Sequence, residues 1–174
     1  AYRMRYLRLN LSKMEAKELE VPRDWVLKYL GGRGLAARFM YEELKPGVDP
    51  LSPGNRVYMF TGPLTGTMVF AGSKTALVTL SPLTGVYLCS NAAGFFGAHL
   101  KFAGFDGLVI EGRAEKPVYV YIEDGEVEFK NAEHLWGLSA SETVKAVRDE
   151  TDKGARVACI GPAGERLVRF ACVR

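Results

Sequence analysis

A succession of short β-type segments, separated by turns rich in Gly and Pro, restricts the folds open to this chain. The segments concentrate Val, Ile, Leu, Tyr and Thr, which predicts strands. The predicted strands are Arg3–Leu11, Arg56–Thr61, Thr75–Leu80, Val86–Cys89, Leu108–Glu111, Val118–Ile122, Val127–Lys130, Arg156–Ile160 and Leu167–Val173. Between two of them, Asp124-Gly125 accepts the positive φ angles of a tight hairpin, so neighbouring strands are expected to pair antiparallel.

Helical segments are fewer than strands. Apolar spacing predicts helices over residues 23–30 and 33–44, and the Gly31-Gly32 pair between them predicts a kink or a close contact. A third helix is predicted from Asn91 to about Phe102. A fourth begins around Ser139 or Ser141, where Ser139-Ala140-Ser141-Glu142 matches a capping box. The predicted class is therefore α+β with mostly antiparallel sheets.

A weak internal sequence repeat suggests a duplicated half-domain. Arg56-Val57 leads within a few residues to Gly62-Pro63, and Arg156-Val157 leads to Gly161-Pro162 in the same way. Two short matches can also arise by chance, so duplication stays an alternative within the α+β class.

Size and charge narrow the class of protein. The 174 residues are the length of one domain, and no apolar run approaches the length of a membrane span. The first residues alternate charged with apolar side chains, unlike a secretion signal, so a soluble cytoplasmic protein is expected. The net charge of +3 is small and dispersed, which argues against nucleic acid as a partner.

The sequence offers no self-contained catalytic site. The three cysteines are Cys89, Cys159 and Cys172, and no Cys-x-x-Cys occurs, so a disulfide framework or an internal zinc or iron–sulfur site is not expected. His99 and His134 have no nearby Ser, Cys or carboxylate partner in sequence, and the acidic residues are dispersed. No catalytic residue is therefore predicted.

The first candidate binding loop is Gly72-Ser73-Lys74. It lies between two rigid turns of similar sequence, Gly62-Pro63-Leu64-Thr65-Gly66 and Ser81-Pro82-Leu83-Thr84-Gly85. The loop resembles the end of a phosphate-binding loop, but Ser73 replaces the required Gly and a strand follows instead of a helix. The sequence is therefore not that of a nucleoside triphosphatase. Lys74 can still bind an anion, with an ordinary exposed lysine as the alternative.

The second candidate loop is Asn91-Ala92-Ala93-Gly94, between a predicted strand and a predicted helix. Small side chains allow a ligand to approach the backbone, and a helix N-terminus attracts phosphate. The alternative is a compact strand-to-helix connection with Asn91 as the helix N-cap.

Motifs along nearly the whole chain resemble the aldehyde ferredoxin oxidoreductase family. In addition to the two turns, they are Gly31-Gly32-Arg33-Gly34-Leu35-Ala36, Val48-Asp49-Pro50-Leu51, Leu100-Lys101-Phe102-Ala103-Gly104-Phe105-Asp106, Val109-Ile110-Glu111-Gly112, Glu115-Lys116-Pro117-Val118-Tyr119, Leu135-Trp136-Gly137 and Ile160-Gly161-Pro162-Ala163-Gly164-Glu165.

The resemblance implies two mostly antiparallel sheets that form a base for a tungsten or molybdenum bis-pterin cofactor. A pterin-contacting basic residue of the family falls on Lys74, where some members carry Arg, and a neighbouring glycine falls on Ala93. Asn91 falls in the region of the pterin phosphates and of magnesium, which its backbone carbonyl would contact. Gly72, Ser73, Ala92 and Gly94 complete the expected cofactor-binding set.

The resemblance also implies the rest of the enzyme. Residues 1–174 would be the N-terminal cofactor-binding domain, and a [4Fe–4S] cluster would be held by domains beyond this chain, which alone would be inactive. The expected activity is oxidation of an unspecified aldehyde to a carboxylic acid, with ferredoxin as the electron acceptor. Exposed sheet surface would favour a homo-oligomer. The alternatives are a non-catalytic pterin- or phosphate-binding module and an assembly domain.

Overall fold

Residues 2–174 are described by a computed structural model, so Ala1, the first residue of the predicted domain, lies outside the described part. The strands are β1 (Arg5–Asn10), β2 (Glu15–Glu20), β3 (Arg56–Thr61), β4 (Thr75–Leu80), β5 (Tyr87–Ala92), β6 (Gly107–Glu111), β7 (Val118–Glu123) and β8 (Glu126–Asn131). The helices are α1 (Arg23–Tyr29), α2 (Gly32–Glu43), α3 (Phe96–Phe102), α4 (Ala140–Glu150) and α5 (Pro162–Glu165), with one 3₁₀ turn at Glu133–Leu135.

The strands form two sheets. Six of them make a sheet in the order β2-β1-β6-β3-β4-β5, and β7 pairs with β8 in a two-stranded sheet. β1 and β6 run parallel, and every other pair is antiparallel. The predicted α+β class with two mostly antiparallel sheets is confirmed.

The large sheet is covered on both faces. One face packs against α2, where the Phe39 ring stacks on Phe60 with centroids 5.0 Å apart and meets Tyr6 edge-on at 4.9 Å. The other face packs against Leu100 of α3 and against apolar side chains of β7 and β8. Each fully buried aromatic or aliphatic side chain stabilises the fold by about 1.5–3 kcal/mol, so the two clusters fix the sheet between its helices.

A half-buried charge network ties α2 to three strands. Glu43 at the end of α2 pairs with Arg8 of β1 and with Arg56 of β3, and Glu111 of β6 pairs with the same two arginines, at 3.1 Å to Arg8 and 2.8 Å to Arg56. Partial burial alone would lower the pKa of Arg8, but hydrogen bonds to Glu43 and Tyr6 raise that pKa above its usual value. The alternating charges hold the C-terminal end of α2 on the sheet.

The structure differs from the predicted elements in four places. β2 was not expected, and the strand predicted to end at Cys89 continues to Ala92. The helix predicted from Asn91 begins at Phe96, so Asn91 is not its N-cap. Residues 156–160 and 167–173, predicted as strands, form no regular strand because they lack a ladder partner beyond a single backbone pair between Cys159 and Arg174.

The two segments of the internal sequence repeat fold differently. Arg56–Thr61 is a central strand of the large sheet, whereas residues 156–160 have no regular structure. The turns that follow are nevertheless alike, because the N–H of Thr65 donates to the carbonyl of Gly62 at 3.2 Å and that of Gly164 to Gly161 at 2.8 Å. The similarity is thus confined to the Gly-Pro turns.

Candidate cofactor site

The two predicted binding loops lie side by side at one end of β4 and β5. The antiparallel register pairs Thr75 with Ala92, so the residues before Thr75 run alongside those after Ala92. The Ser73 hydroxyl donates a hydrogen bond to the carbonyl of Gly94, which joins the loops. The structure therefore brings together all seven predicted site residues, which are Gly72, Ser73, Lys74, Asn91, Ala92, Ala93 and Gly94.

The Gly-Pro-Leu-Thr-Gly turn braces the backbone at Lys74. The Thr65 hydroxyl accepts a hydrogen bond from the N–H of Gly62 at 3.1 Å and donates one to the carbonyl of Lys74 at 3.2 Å. A Cβ on Gly72 would lie 3.0 Å from the carbonyl oxygen of Leu64, so the loop packs closely against this turn. The Lys74 side chain is exposed, and no carboxylate within residues 2–174 pairs with it.

The similar turn at residues 81–85 has a different place. It connects the far end of β4 to β5, where the N–H of Gly85 donates to the carbonyl of Ser81 at 2.8 Å and the N–H of Thr84 to the Ser81 hydroxyl at 3.2 Å. Because β4 runs from Thr75 to Leu80, this turn is at the end opposite Lys74. It closes a hairpin and takes no part in the candidate site.

Asn91 sits on an open strand edge. The N–H of Ser81 donates to the carbonyl of Val86, which sets the hydrogen-bonding phase of the β4–β5 ladder. In that phase Ala92 and Ser90 bond to β4, whereas the N–H and C=O groups of Asn91 point away from it. Since β5 is the last strand of the sheet, the Asn91 carbonyl faces a side that no other strand covers.

The start of α2 borders the same place, which the sequence interpretation missed. Gly31 lies so close to the end of β3 that a Cβ there would be 2.8 Å from the Thr61 carbonyl oxygen. A Cβ on Gly32 would be 3.9 Å from the Cβ of Ala76, the residue paired with Asn91. No side chain caps the helix, and the N–H groups of Gly32 and Arg33 have no acceptor within residues 2–174, whereas that of Gly34 donates to the Gly31 carbonyl at 3.2 Å. The Gly31-Gly32 signal predicted the close contact but not its place beside Asn91.

Arg33 adds a positive charge near β5. Burial raises the pKa of Tyr87, Cys89 raises it further, and the charge of Arg33 opposes the shift, which places Arg33 near the strand. Tyr87 and Asn91 share one face of β5 because they are four residues apart on a strand. Arg33 is exposed and has no carboxylate partner within the described residues.

A separate groove of about 240 Å³ lies on the opposite face of β4 and β5. Its apolar wall includes Leu77 and Phe96, and Arg148, Arg156 and Arg174 line its rim. The Arg156 guanidinium lies over the Phe95 ring, 4.9 Å from the centroid. Ala92 and Ala93 also line this groove, so the second loop borders both the groove and the residues that precede β4.

Residues 2–174 contain no group of three or more His, Cys, Asp or Glu side chains placed to hold a metal ion. No helix within the same residues combines the length and apolarity needed to cross a membrane.

Comparison with known proteins identifies the family to which a chain of this fold belongs. The family model described as "Aldehyde ferredoxin oxidoreductase, N-terminal domain" matches residues 6–174. The chain belongs to the aldehyde ferredoxin oxidoreductase family, as its motifs predicted.

Three relatives place the chain within that family. It is 48% identical over 170 residues to a tungsten-containing aldehyde ferredoxin oxidoreductase of Pyrococcus furiosus, covering 97% of this chain and 28% of the relative. It is 48% identical over 170 residues to the enzyme of that name from Thermococcus kodakarensis, with the same coverage. It is 34% identical over 189 residues to the WOR-like subunit of an aliphatic sulfonate oxidoreductase of P. furiosus, covering 99% of this chain and 30% of that one. The chain thus spans less than a third of the length of these relatives.

A solved structure has the same fold. The BamBC active site complex of benzoyl coenzyme A reductase, in complex with 1,5-dienoyl-CoA, matches with a TM-score of 0.97 and 33% sequence identity. The match covers 99% of this chain and 27% of that one. The shared architecture supports the order of strands and helices described above.

Proposed function

We propose that this chain is the N-terminal cofactor-binding domain of an oxidoreductase that carries a tungsten, or molybdenum, bis-pterin cofactor. The observation that carries the proposal is the meeting of Lys74, the free Asn91 carbonyl and the uncapped start of α2 at one end of the large sheet. The tungsten-containing relatives support the identity of the metal.

The residues at this end suit a phosphate-bearing group. Lys74 at this end and Arg33 at the start of α2 supply unpaired positive charge, and the N–H groups of Gly32 and Arg33 supply donors at the positive end of a 12-residue helix. Gly72, Ala93 and Gly94 leave the backbone accessible to a bulky ring system. The arrangement is suited to bind and orient a phosphorylated pterin.

The Asn91 carbonyl suits a hard cation between phosphates. Magnesium prefers oxygen ligands and usually combines one or two protein oxygens with phosphates and water. The carbonyl is available because the strand ladder does not use it. Asn91 would therefore contact magnesium through its backbone, so the identity of its side chain matters less than the strand conformation.

The redox chemistry belongs to parts other than these residues. When bound, the cofactor supplies the two-electron oxidation of an aldehyde to a carboxylic acid. A [4Fe–4S] cluster in the remaining domains would pass the electrons to ferredoxin in the cytoplasm. The residues of this chain hold the pterin in place, and residues 1–174 alone would not turn over substrate.

The direct test is metal and pterin analysis of the full-length protein purified without oxygen. Tungsten or molybdenum with about two pterins per metal, together with iron, is the expected result. A protein without metal or pterin after cofactor-replete expression would contradict the enzyme and leave a binding or assembly module. Pterin and phosphate bound without a metal would favour the non-catalytic binding module.

Variants of Lys74 connect that analysis to the site. Lys74→Ala should weaken cofactor retention by about tenfold or more, the effect of losing one charge-assisted contact. Lys74→Arg should retain the cofactor because it keeps the charge and adds a second donor. The matched control is Lys13→Ala, which removes an exposed lysine from the β1–β2 turn. Equal metal and pterin content in all four proteins would remove Lys74 from the site.

A further inference from the structure

The two edges of the large sheet differ in charge. The β2 edge carries Glu15, Lys17, Glu18 and Glu20. The β5 edge, Tyr-Leu-Cys-Ser-Asn-Ala, has no charged residue, and the sequence has no Asp, Glu, Lys or Arg between Lys74 and Lys101. Charged side chains, lysine above all, keep an exposed edge from pairing with another strand. β2 is protected in this way and β5 is not.

The backbone of β5 is free to accept a partner. The ladder phase directs the N–H and C=O groups of Tyr87 and Cys89 away from β4, as it does for Asn91. No backbone group within residues 2–174 bonds to these outward groups. Tyr87 and Cys89 therefore present two donors and two acceptors in the alternate spacing that an added strand requires.

The corner beside this edge is apolar. Leu83 and Val86, in the turn before β5, are 59% and 61% exposed, and Tyr87 is 45% exposed. The Arg169 side chain donates to the carbonyl of Pro82 at 2.8 Å, so the C-terminal segment touches the turn without covering the strand edge. Exposed apolar side chains next to an unpaired edge mark a surface for protein contact.

We propose that the β5 edge pairs with an extended segment from the remaining part of the enzyme polypeptide. Naming that source rests on the proposed function, since the chain spans only 28% of its tungsten-containing relatives. The added strand bonds to the backbone of Tyr87 and Cys89 and leaves the Asn91 carbonyl to the cofactor. Pairing at this edge would fix the end of β5 relative to Lys74.

A second copy of this chain fits the edge less well. Two β5 strands paired antiparallel about Cys89 would set Asn91 of each copy opposite Tyr87 of the other. That pairing would consume the Asn91 carbonyl and place a tyrosine against the candidate site. A strand from elsewhere in the enzyme can instead end before Asn91.

Amide hydrogen exchange of the full-length enzyme, resolved to single residues, tests the pairing. The Tyr87 and Cys89 amides should exchange at least about 100-fold more slowly than unpaired edge amides, at rates similar to Leu88 and Ser90. The amides of Ala16 and Glu18 in β2 are the matched controls. The hydrogen bond from the Val21 N–H to the Met4 carbonyl sets the phase of the β1–β2 ladder, and in that phase these two amides face away from β1. These should exchange rapidly in the same sample.

Three results would overturn the inference. Tyr87 and Cys89 amides as fast as those of Ala16 would show an unpaired edge. Slow exchange of the Asn91 amide alone would indicate that the cofactor, and not an added strand, covers this edge. Protection that disappears when a dimer dissociates on dilution would assign the edge to a second copy. Metal and pterin are measured on the same sample. Slow exchange at the β5 edge in a protein without cofactor would refute only the proposed function. Rapid exchange there in an enzyme that contains the cofactor would refute only the pairing.

Discussion

Gly31 shows how one missing side chain positions the candidate site. Its Cα lies at the end of β3, and an added Cβ would be 2.8 Å from the Thr61 carbonyl oxygen and 3.2 Å from the Cα of Gly62. Backbone atoms cannot move aside as the end of a flexible side chain can. The start of α2 reaches the β4–β5 edge because residue 31 is a glycine.

Gly31→Ala should therefore lower the free energy of unfolding by about 1–3 kcal/mol, the usual cost of overpacking. Denaturant unfolding of the purified protein measures this. Gly161→Ala is the matched control, because its Cβ would meet nothing nearer than 3.8 Å and its backbone is extended. A Gly31→Ala protein as stable as the control would mean that α2 does not contact β3 as described. The variant should also retain less cofactor than the control.

Tyr58 shows the effect of burial on an acid inside the charge network. Burial, followed by the nearby Glu43 carboxylate, raises the pKa of Tyr58 to about 12, although Arg56 opposes the shift. The folded pKa exceeds the unfolded value of about 10. The neutral phenol thus stabilises the fold fully below pH 10, and this contribution is lost as the pH rises toward 12.

Tyr58→Phe should accordingly weaken the loss of stability between pH 10 and 12. Unfolding curves measured across that range for wild type and variant test the sign. Tyr41→Phe is the control, because Tyr41 is 80% exposed. If wild type and Tyr58→Phe lost stability in parallel while the Tyr41 control matched wild type, the buried neutral phenol would be refuted.

At the scale of elements, the start of α4 shows the capping box that the sequence predicted, with Ser139 as the N-cap. The Ser139 hydroxyl accepts from the N–H of Glu142, and the Glu142 carboxylate accepts from the N–H of Ser139 at 2.8 Å. Ser139→Ala should cost about 1 kcal/mol of unfolding free energy, and Ser139→Asp should restore most of it because Asp also accepts at an N-cap. Equal stability of the Ala and Asp variants would contradict the capping role.

The same capping box has a pH dependence. Hydrogen bonds from the Ser139 side chain and backbone lower the pKa of Glu142 below its usual value. The contribution of a carboxylate with a lowered folded pKa is present above the unfolded pKa and is lost as the pH falls through the folded one. Wild type should therefore lose more stability than Glu142→Gln on acidification from pH 6 to pH 3, measured by thermal unfolding. A parallel decline of the two proteins would refute the interaction.

Sequence patterns predicted elements where local and long-range preferences agree. β3 and β4 were predicted with their observed ends because both lie inside the sheet and are largely apolar. β2 was missed because four of its six residues are charged, as suits a protected edge. Asn91 and Ala92 are unfavourable in strands and were predicted to begin a helix, but pairing with Ala76 and Thr75 extends the strand through them.

The predictions of strands at residues 156–160 and 167–173 were wrong for the opposite reason. Residues 156–160 have strand composition, but a strand forms only when a neighbour completes its ladder, and sequence composition cannot supply that neighbour. In the candidate site the types of Lys74 and Asn91 were readable from motifs. The place of Arg33 and of the α2 start was not, since it depends on how α2 packs across β3 and β4.

At the scale of the whole molecule, a well-packed face contrasts with surfaces that no described residue covers. The α2 face is closed by aromatic packing and by the charge network. The candidate loops lie at the end of the sheet beside the start of α2, and the open β5 edge and the groove lined by three arginines adjoin them. A domain that covers 28% of its relatives is expected to expose the surfaces that the remaining parts cover.

The loop between the Gly-Pro-Leu-Thr-Gly turn and Lys74 provides the last test of that view. Met68 and Phe70 are 103% and 98% exposed at its tip, although the loop is held by hydrogen bonds from Thr67 to Leu64 and from Gly72 to Val69. A rigid loop with two bare apolar side chains favours association. The 174-residue chain should therefore self-associate at micromolar concentration in analytical ultracentrifugation, and Met68→Ser with Phe70→Ser should reduce this clearly. Tyr41→Ser is the control, since Tyr41 is 80% exposed near the C-terminal end of α2, which packs at Arg56, the end of β3 opposite this loop, and should change association little. Association that is equal in both variants would show that the loop tip is not the contact surface.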